Sequence, residues 1–237
     1  MLTDLASARV IFLGEFHDRQ EHHSLQLAII KALRARGVPL AIGLEMFDLE
    51  SQPALDQWTA GALSLPDFVG RYQQNWTIPW DQYDTILLFA RNNRVPLVAL
   101  DPPAAIVRTV THHGFASLPS SDLARLPEGV NVSQSGSYRE FLRGPFAGHQ
   151  LPEQFFANFC EAQALRNSTM ALITRRYLTQ HPDRVMVILT GVGHAMRRAA
   201  AATVADNGAV TTRIVVPLVP GLLDVLEMDD ADYFVSE

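Results

Sequence analysis

Cysteine is nearly absent from this chain of 237 residues, and so is lysine. Cys160 stands alone, which excludes an intrachain disulfide, a cysteine-based zinc centre and a Cys-x-x-Cys-His motif for covalent cofactor attachment. A solitary cysteine usually serves as a small apolar residue. Lys31 is the one lysine and the other strongly basic residues are arginines, a bias read as compositional drift. No block of like charge suggests a tail, and a net charge of −6 gives no general attraction to nucleic acid or anionic lipid. No apolar run approaches the roughly 18 residues of a transmembrane helix. The N-terminus shows no basic segment followed by an apolar stretch, so no signal peptide is expected as written, although a removed upstream segment would leave no trace. There is no Gly-x-Gly-x-x-Gly after the first strand, no Walker loop and no Gly-x-Ser-x-Gly elbow.

Apolar residues make up 48% of the chain, enough for the core of one large domain. Short apolar segments alternate with helical patterns. Strands are expected at Val10 to Leu13, Leu40 to Leu44, Pro96 to Leu100, Val185 to Leu189 and Arg213 to Val216. A helix from about Glu21 to Arg36 carries Leu25, Ala28, Ile29, Ala32 and Leu33 on one stripe and stops at Gly37. Residues 51 to 93 read as helical pieces, a long helix runs from Pro152 to about Thr179, and another from about Gly193 to Asp206. The pattern predicts an α/β fold, with a mainly parallel central sheet, helices on both faces and a helical or loop insertion at about 114–150, a candidate lid. Residues 1–237 are expected to form a single domain.

Ligands of open parallel sheets bind beyond the carboxyl ends of the strands. The first strand runs into Glu15 and His17, the second into Glu45, the third into Asp101, and the fourth through Gly191-Val192-Gly193 to His194. Such side chains do acid–base work or bind metal. Asp101 on its own reads more simply as a helix cap. Glu45 lies within the apolar run Gly43-Leu44-Glu45-Met46-Phe47, so a dry carboxylate with a partner is expected. His17 or His194 is the expected partner, and each should then have a raised pKa. On the long helix, Gln163 and Asn167 interrupt an apolar stripe beside Arg166; they either tie down the insertion or meet a ligand. His22 and His23 sit in the first turn of a helix, about 100° apart, and Glu21-His22-His23 is not a His-Glu-x-x-His zinc motif. The aromatics Phe68, Tyr72, Trp76, Trp80 and Tyr83 suit core packing or an apolar wall for a flat ligand.

Several of these pieces together resemble the ChaN-like haem-binding proteins, which share a superfamily with TIKI-type and erythromycin-esterase-type proteins. The matching residues are Phe12-Leu13-Gly14-Glu15-Phe16-His17-Asp18, His22-His23, Gly43-Leu44-Glu45-Met46-Phe47, Gln163, Met170-Ala171 and Gly191-Val192-Gly193-His194, in order over about 180 residues. The resemblance implies haem binding for iron uptake or haem handling, a homodimer with haem held between subunits by a tyrosine and histidine contacts, and a cell-envelope location. The missing leader points instead to the cytoplasm. Motif matching does not place the tyrosine; Tyr83 is preferred, with Tyr72 and Tyr138 as alternatives, and His23 and Gln163 as further haem contacts. The hydrolases of the superfamily imply a second possibility, cleavage of an ester or peptide bond. Glu15, His17, Glu45 and His194 would then be catalytic residues or ligands of a divalent metal.

Overall fold

The computed structural model describes residues 1–144, 152–205, 210–219 and 226–236. Its strands are β1 (Val10–Glu15), β2 (Leu40–Asp48), β3 (Leu97–Asp101), β4 (Val185–Gly191), β5 (Thr212–Leu218) and β6 (Tyr233–Ser236). The helices are α1 (Leu2–Leu5), α2 (Gln20–Ala35), α3 (Gln52–Thr59), α4 (Leu65–Asn75), α5 (Asp84–Asn92), α6 (Ala104–His113), α7 (Ser120–Leu123), α8 (Gly136–Arg143), α9 (Glu153–Gln180), α10 (Val192–Ala195) and α11 (Ala202–Ala205). The six strands form one sheet in the order β3-β2-β4-β1-β5-β6, every pair parallel. The α/β expectation is met.

Side chains alternate across the sheet with period two. Ile11 and Leu13 of β1 join a core with Ile30 and Leu33 of α2, Trp58 of α3, Phe68 and Tyr72 of α4 and Leu87 of α5. Val10 and Phe12 face the opposite core, with Tyr138 of α8 and Cys160, Met170 and Ala171 of α9. Both faces are covered, which is why the strands read as continuous apolar runs. The aromatic stripe is split at Pro79 and packs mainly inward: Trp58 stacks on Phe68 with centroids 4.0 Å apart and planes 7° apart.

All five expected strands run further toward their carboxyl ends than the apolar pattern indicates, and Glu15, Glu45 and Gly191 thereby lie within strands. β2 carries a bulge: Leu44 pairs with Ala99, yet Asp48 pairs with Asp101, leaving two extra residues on β2. The sixth strand, only four residues long, was not expected. The continuous helix expected from Gly193 to Asp206 is a correction. The chain turns extended at Met196 and is non-helical at Ala199, and Asp206 lies outside the described residues. The Gly193 carbonyl accepts a hydrogen bond from the Tyr138 hydroxyl at 2.9 Å, occupying a group that a continuing helix needs. Of the 114–150 insertion, α7 and α8 are described, and 145–150 lie outside the described residues.

β3 is an edge strand, and its free backbone groups are covered by one side chain. The Gln52 amide donates to the Leu97 carbonyl at 2.9 Å and accepts from the Ala99 N–H at 2.8 Å, the pattern a neighbouring strand would supply. Gln52→Ala is expected to cost about 1–3 kcal/mol in urea unfolding, because two strand groups lose their partners. Sedimentation of the variant should also show concentration-dependent association through the bared edge; unchanged stability and a concentration-independent sedimentation coefficient would count against this role.

Candidate functional site

The carboxyl-end segments of β1, β2 and β4 meet α9 in a cleft of about 840 Å³ lined by Glu15, His17, Glu45, Gln163, Arg166 and His194, among others. The sheet order explains the meeting, since β3, β2, β4 and β1 are consecutive neighbours and all point their carboxyl ends the same way. The cleft also has apolar walls from Phe16, Ile78, Phe141 and Val192.

Glu45 lies just past the last β2–β4 ladder pair, Leu44 with Leu189. Its Oε2 accepts from the Gly191 N–H at 2.6 Å and the Thr190 hydroxyl at 2.5 Å, so the carboxylate caps the strand where the ladder stops. Its Oε1 accepts from Arg166 Nη2 at 2.8 Å. The same guanidinium donates through Nε to Asp101 at 2.7 Å and through Nη1 to His194 Nε2 at 3.0 Å. An arginine nitrogen can only donate, so His194 Nε2 accepts and its Nδ1 carries the proton, donated to Asn167 Oδ1 at 2.7 Å. His194 is thereby held as a neutral imidazole.

The second acidic centre is Glu15, 2% exposed at the end of β1. Its Oε1 accepts from His17 Nδ1 at 2.7 Å and from the Tyr83 hydroxyl. Its Oε2 accepts from Gln26 Nε2 at 2.7 Å and lies 3.6 Å from His23 Nε2. The spacing of the first motif produces this cluster. Two residues, Asp18 and Arg19, separate His17 from α2, and His22, His23 and Gln26 then fall on its first turns. His22 turns back, its Nδ1 accepting the Phe16 N–H at 2.9 Å. His17 is half-buried, edge-on to Trp76 with centroids 4.9 Å apart, and its Nε2 lies 3.9 Å from Glu45 Oε1. Gly191 makes room for it: a Cβ there would sit 3.1 Å from His17 Cε1 and Nε2.

Burial works to raise the Glu15 carboxyl, but the hydrogen bond from His17 and the nearby His23 imidazole outweigh it and hold the pKa at about 2. Burial opposes the Glu45 charge too, and the charges of Arg166 and His17 together with the Thr190 hydrogen bond keep its carboxyl well below the usual range. Burial pushes Asp101 up to about 6, with Arg166 limiting the rise. The two histidines diverge. For His17, burial is outweighed by its bond to Glu15 and the charge of Glu45, and the pKa rises. For His194, burial and the Arg166 charge lower it to about 3. The expectation that both would rise is corrected at His194, because the cation nearest Glu45 is Arg166 and not a histidine.

Glu15, His17, Glu45, His194 and Gln163 line one cleft, as expected of a single site. Tyr83 and His23 do not line it. They are 1% and 0% exposed and lie behind Glu15, rings 4.1 Å apart. As a divalent-metal set, the four strand-end residues find no support. Among the described residues no group of three or more His, Cys, Asp or Glu side chains is arranged to hold a metal ion. The reason is steric and electrostatic: the Arg166 guanidinium bonds both Glu45 and His194, occupying the space and the lone pair a metal would need. Asp101 joins the site through Arg166 instead of capping a helix. Sequence reading missed Arg166, Gln26 and Thr190. Arg166 had a signal, a cation between Gln163 and Asn167 on the inward stripe of α9; Gln26 had one in its i+3 spacing from His23.

A protein-family model described as "Haem-binding uptake, Tiki superfamily, ChaN" matches residues 1–204. Protein RETICULATA-RELATED 5, chloroplastic, of Arabidopsis thaliana is 30% identical over 204 residues, an alignment covering 80% of this chain and 28% of that protein. This chain thus spans little more than a quarter of that relative's length. Among solved structures, ChaN of Campylobacter jejuni, described with cofacial haem, superposes with a TM-score of 0.72 at 16% identity, over 99% of this chain and 89% of that one. An erythromycin esterase, EreC, in its open conformation superposes with a TM-score of 0.57 at 16% identity, over 91% and 71% of the two chains. At such identities the two superpositions establish a shared fold.

Imidazole NMR titration should separate the two histidines, His17 above the ordinary 6.5 and His194 near 3. The signs for stability follow. The His17 contribution is full below pH 6.5 and lost as pH rises through its raised folded pKa; the His194 arrangement loses stability as pH falls from 6.5 toward 3. Arg166→Met should raise the His194 pKa, since a neighbouring cation is gone, and cost about 3–5 kcal/mol by stranding buried carboxylates. Coincident histidine midpoints would refute the assigned tautomer.

Proposed function

We propose haem binding as the function, from the premise that this chain belongs to the haem-binding uptake family of the Tiki superfamily, the family of ChaN. We infer that haem is cargo here, in iron or haem acquisition and handling, and that a second copy of the chain closes over it. The observation that carries this reading is the cleft. Its volume of about 840 Å³ lies within the usual range for small-ligand sites, and it pairs apolar walls with a charged floor. Phe16, Ile78, Phe141 and Val192 suit the macrocycle, and Arg166 and His17 suit its carboxylates.

Tyr72, Tyr83 and Tyr138, as this chain holds them, do not suit a tyrosinate ligand to the iron. Tyr72 donates its hydroxyl to the Ile78 carbonyl at 2.8 Å, Tyr83 to Glu15, and Tyr138 to the Gly193 carbonyl at 2.9 Å. All three side chains are buried, and burial pushes all three phenols up in pKa, against ionisation.

One observation favours a second reading, hydrolysis of an ester or peptide bond. Glu15 holds His17 through Nδ1, which leaves Nε2 toward the cleft as a general base near the Arg166 cation. Haemin titration of the purified protein, run beside an ester-hydrolysis assay, separates the two. Saturable uptake weakened about tenfold by Phe141→Asp, equivalent to about 1.4 kcal/mol, is the expected result. Absent uptake together with esterase activity abolished by His17→Ala would replace haem binding with hydrolysis.

A further inference from the structure

We infer that Tyr83 is a positioning residue for His17, acting through Glu15. The Glu15 carboxylate draws donors from three parts of the chain: His17 after β1, Gln26 on α2 and Tyr83 at the start of α5. Gln26 Nε2 also donates to the Leu13 carbonyl at 3.1 Å, tying that amide to β1. The terminal torsion of a glutamate is intrinsically broad, so nothing in the side chain itself sets the carboxylate plane. Donors anchored elsewhere in the fold set it, Gln26 at Oε2 and Tyr83 at Oε1. Without the Tyr83 hydroxyl, Oε1 keeps a single partner, the His17 imidazole. His17 depends on that acceptor in turn, because the bond made by one ring nitrogen decides which nitrogen carries the proton and which is free for the cleft. Tyr83 thus acts from behind the cleft, 1% exposed, as a donor to a carboxylate.

The inference rests on the proposed function only in treating His17 as a working group of the cleft, and its test uses protein without haemin. Imidazole and hydroxyl proton NMR should show Tyr83→Phe losing the downfield hydroxyl signal of the Tyr83–Glu15 bond. The His17 Nδ1 proton should move further downfield, since Oε1 then serves one donor. Tyr72→Phe is the control. It removes a hydroxyl from the same aromatic cluster, one bonded to the Ile78 carbonyl, and should leave the His17 proton where it was. Should Tyr83→Phe fail to fold, biosynthetic 3-fluorotyrosine keeps the shape; its more acidic phenol donates more strongly and should move the His17 proton upfield. A His17 proton unchanged in both Tyr83→Phe and fluorotyrosine protein overturns the inference, and so does one that moves equally in Tyr72→Phe. Haemin titration of the wild type reads the proposed function separately, so either can fail alone.

Discussion

The Arg166 guanidinium bonds an acceptor at the end of β3, one on β2 just past its ladder with β4 and one just after β4, and the architecture of the cleft depends on that fork. Glu45 and Asp101 are carboxylates withdrawn from water, and a buried ion without a partner is costly by several kcal/mol. One planar cation with donors in fixed directions serves both and still has a nitrogen for His194. A lysine, with a single nitrogen, would not bridge the three acceptors in this way. Because Arg166 rides on α9, the fork also fastens that helix to the sheet, and Asn167, the next residue, completes the link through His194.

The two acidic centres divide the work. Glu45 is neutralised by a permanent charge and by strand-end donors, so it behaves as a fixed part of the floor. Glu15 is balanced by neutral donors and by His17, whose charge varies with pH. The cleft therefore keeps one histidine neutral and another readily protonated, their Nε2 atoms 3.7 Å and 3.9 Å from the same Glu45 oxygen, a contrast set by environment and not by residue type. Glycine at 191 is what lets the imidazole of His17 lie against β4.

Membership of a haem-binding family and an acid–base arrangement at the cleft floor are compatible in one chain, since a fold carries different functions through the sites placed on it. In this chain Tyr72, Tyr83 and Tyr138 are buried, each with its hydroxyl committed to a protein acceptor. No helix among the described residues is long and apolar enough to cross a membrane.

Much of this was legible in the residue order. Continuous apolar runs between helical stripes specify a covered parallel sheet, and such a sheet gathers whatever follows its strands at one edge; Glu15, His17, Glu45 and His194 were readable on that ground alone. The dryness of Glu45 was readable too, from Met46 and Phe47 beside it. Pairing was not. Which cation neutralises Glu45, why His194 stays neutral, and why Tyr83 faces Glu15 and not the cleft all depend on residues 121, 28 and 68 positions apart in the chain meeting in space. Periodicity reports which face of an element is buried, whereas a hydrogen-bond partner is chosen by the packing of separate elements, and only the tertiary structure decides that.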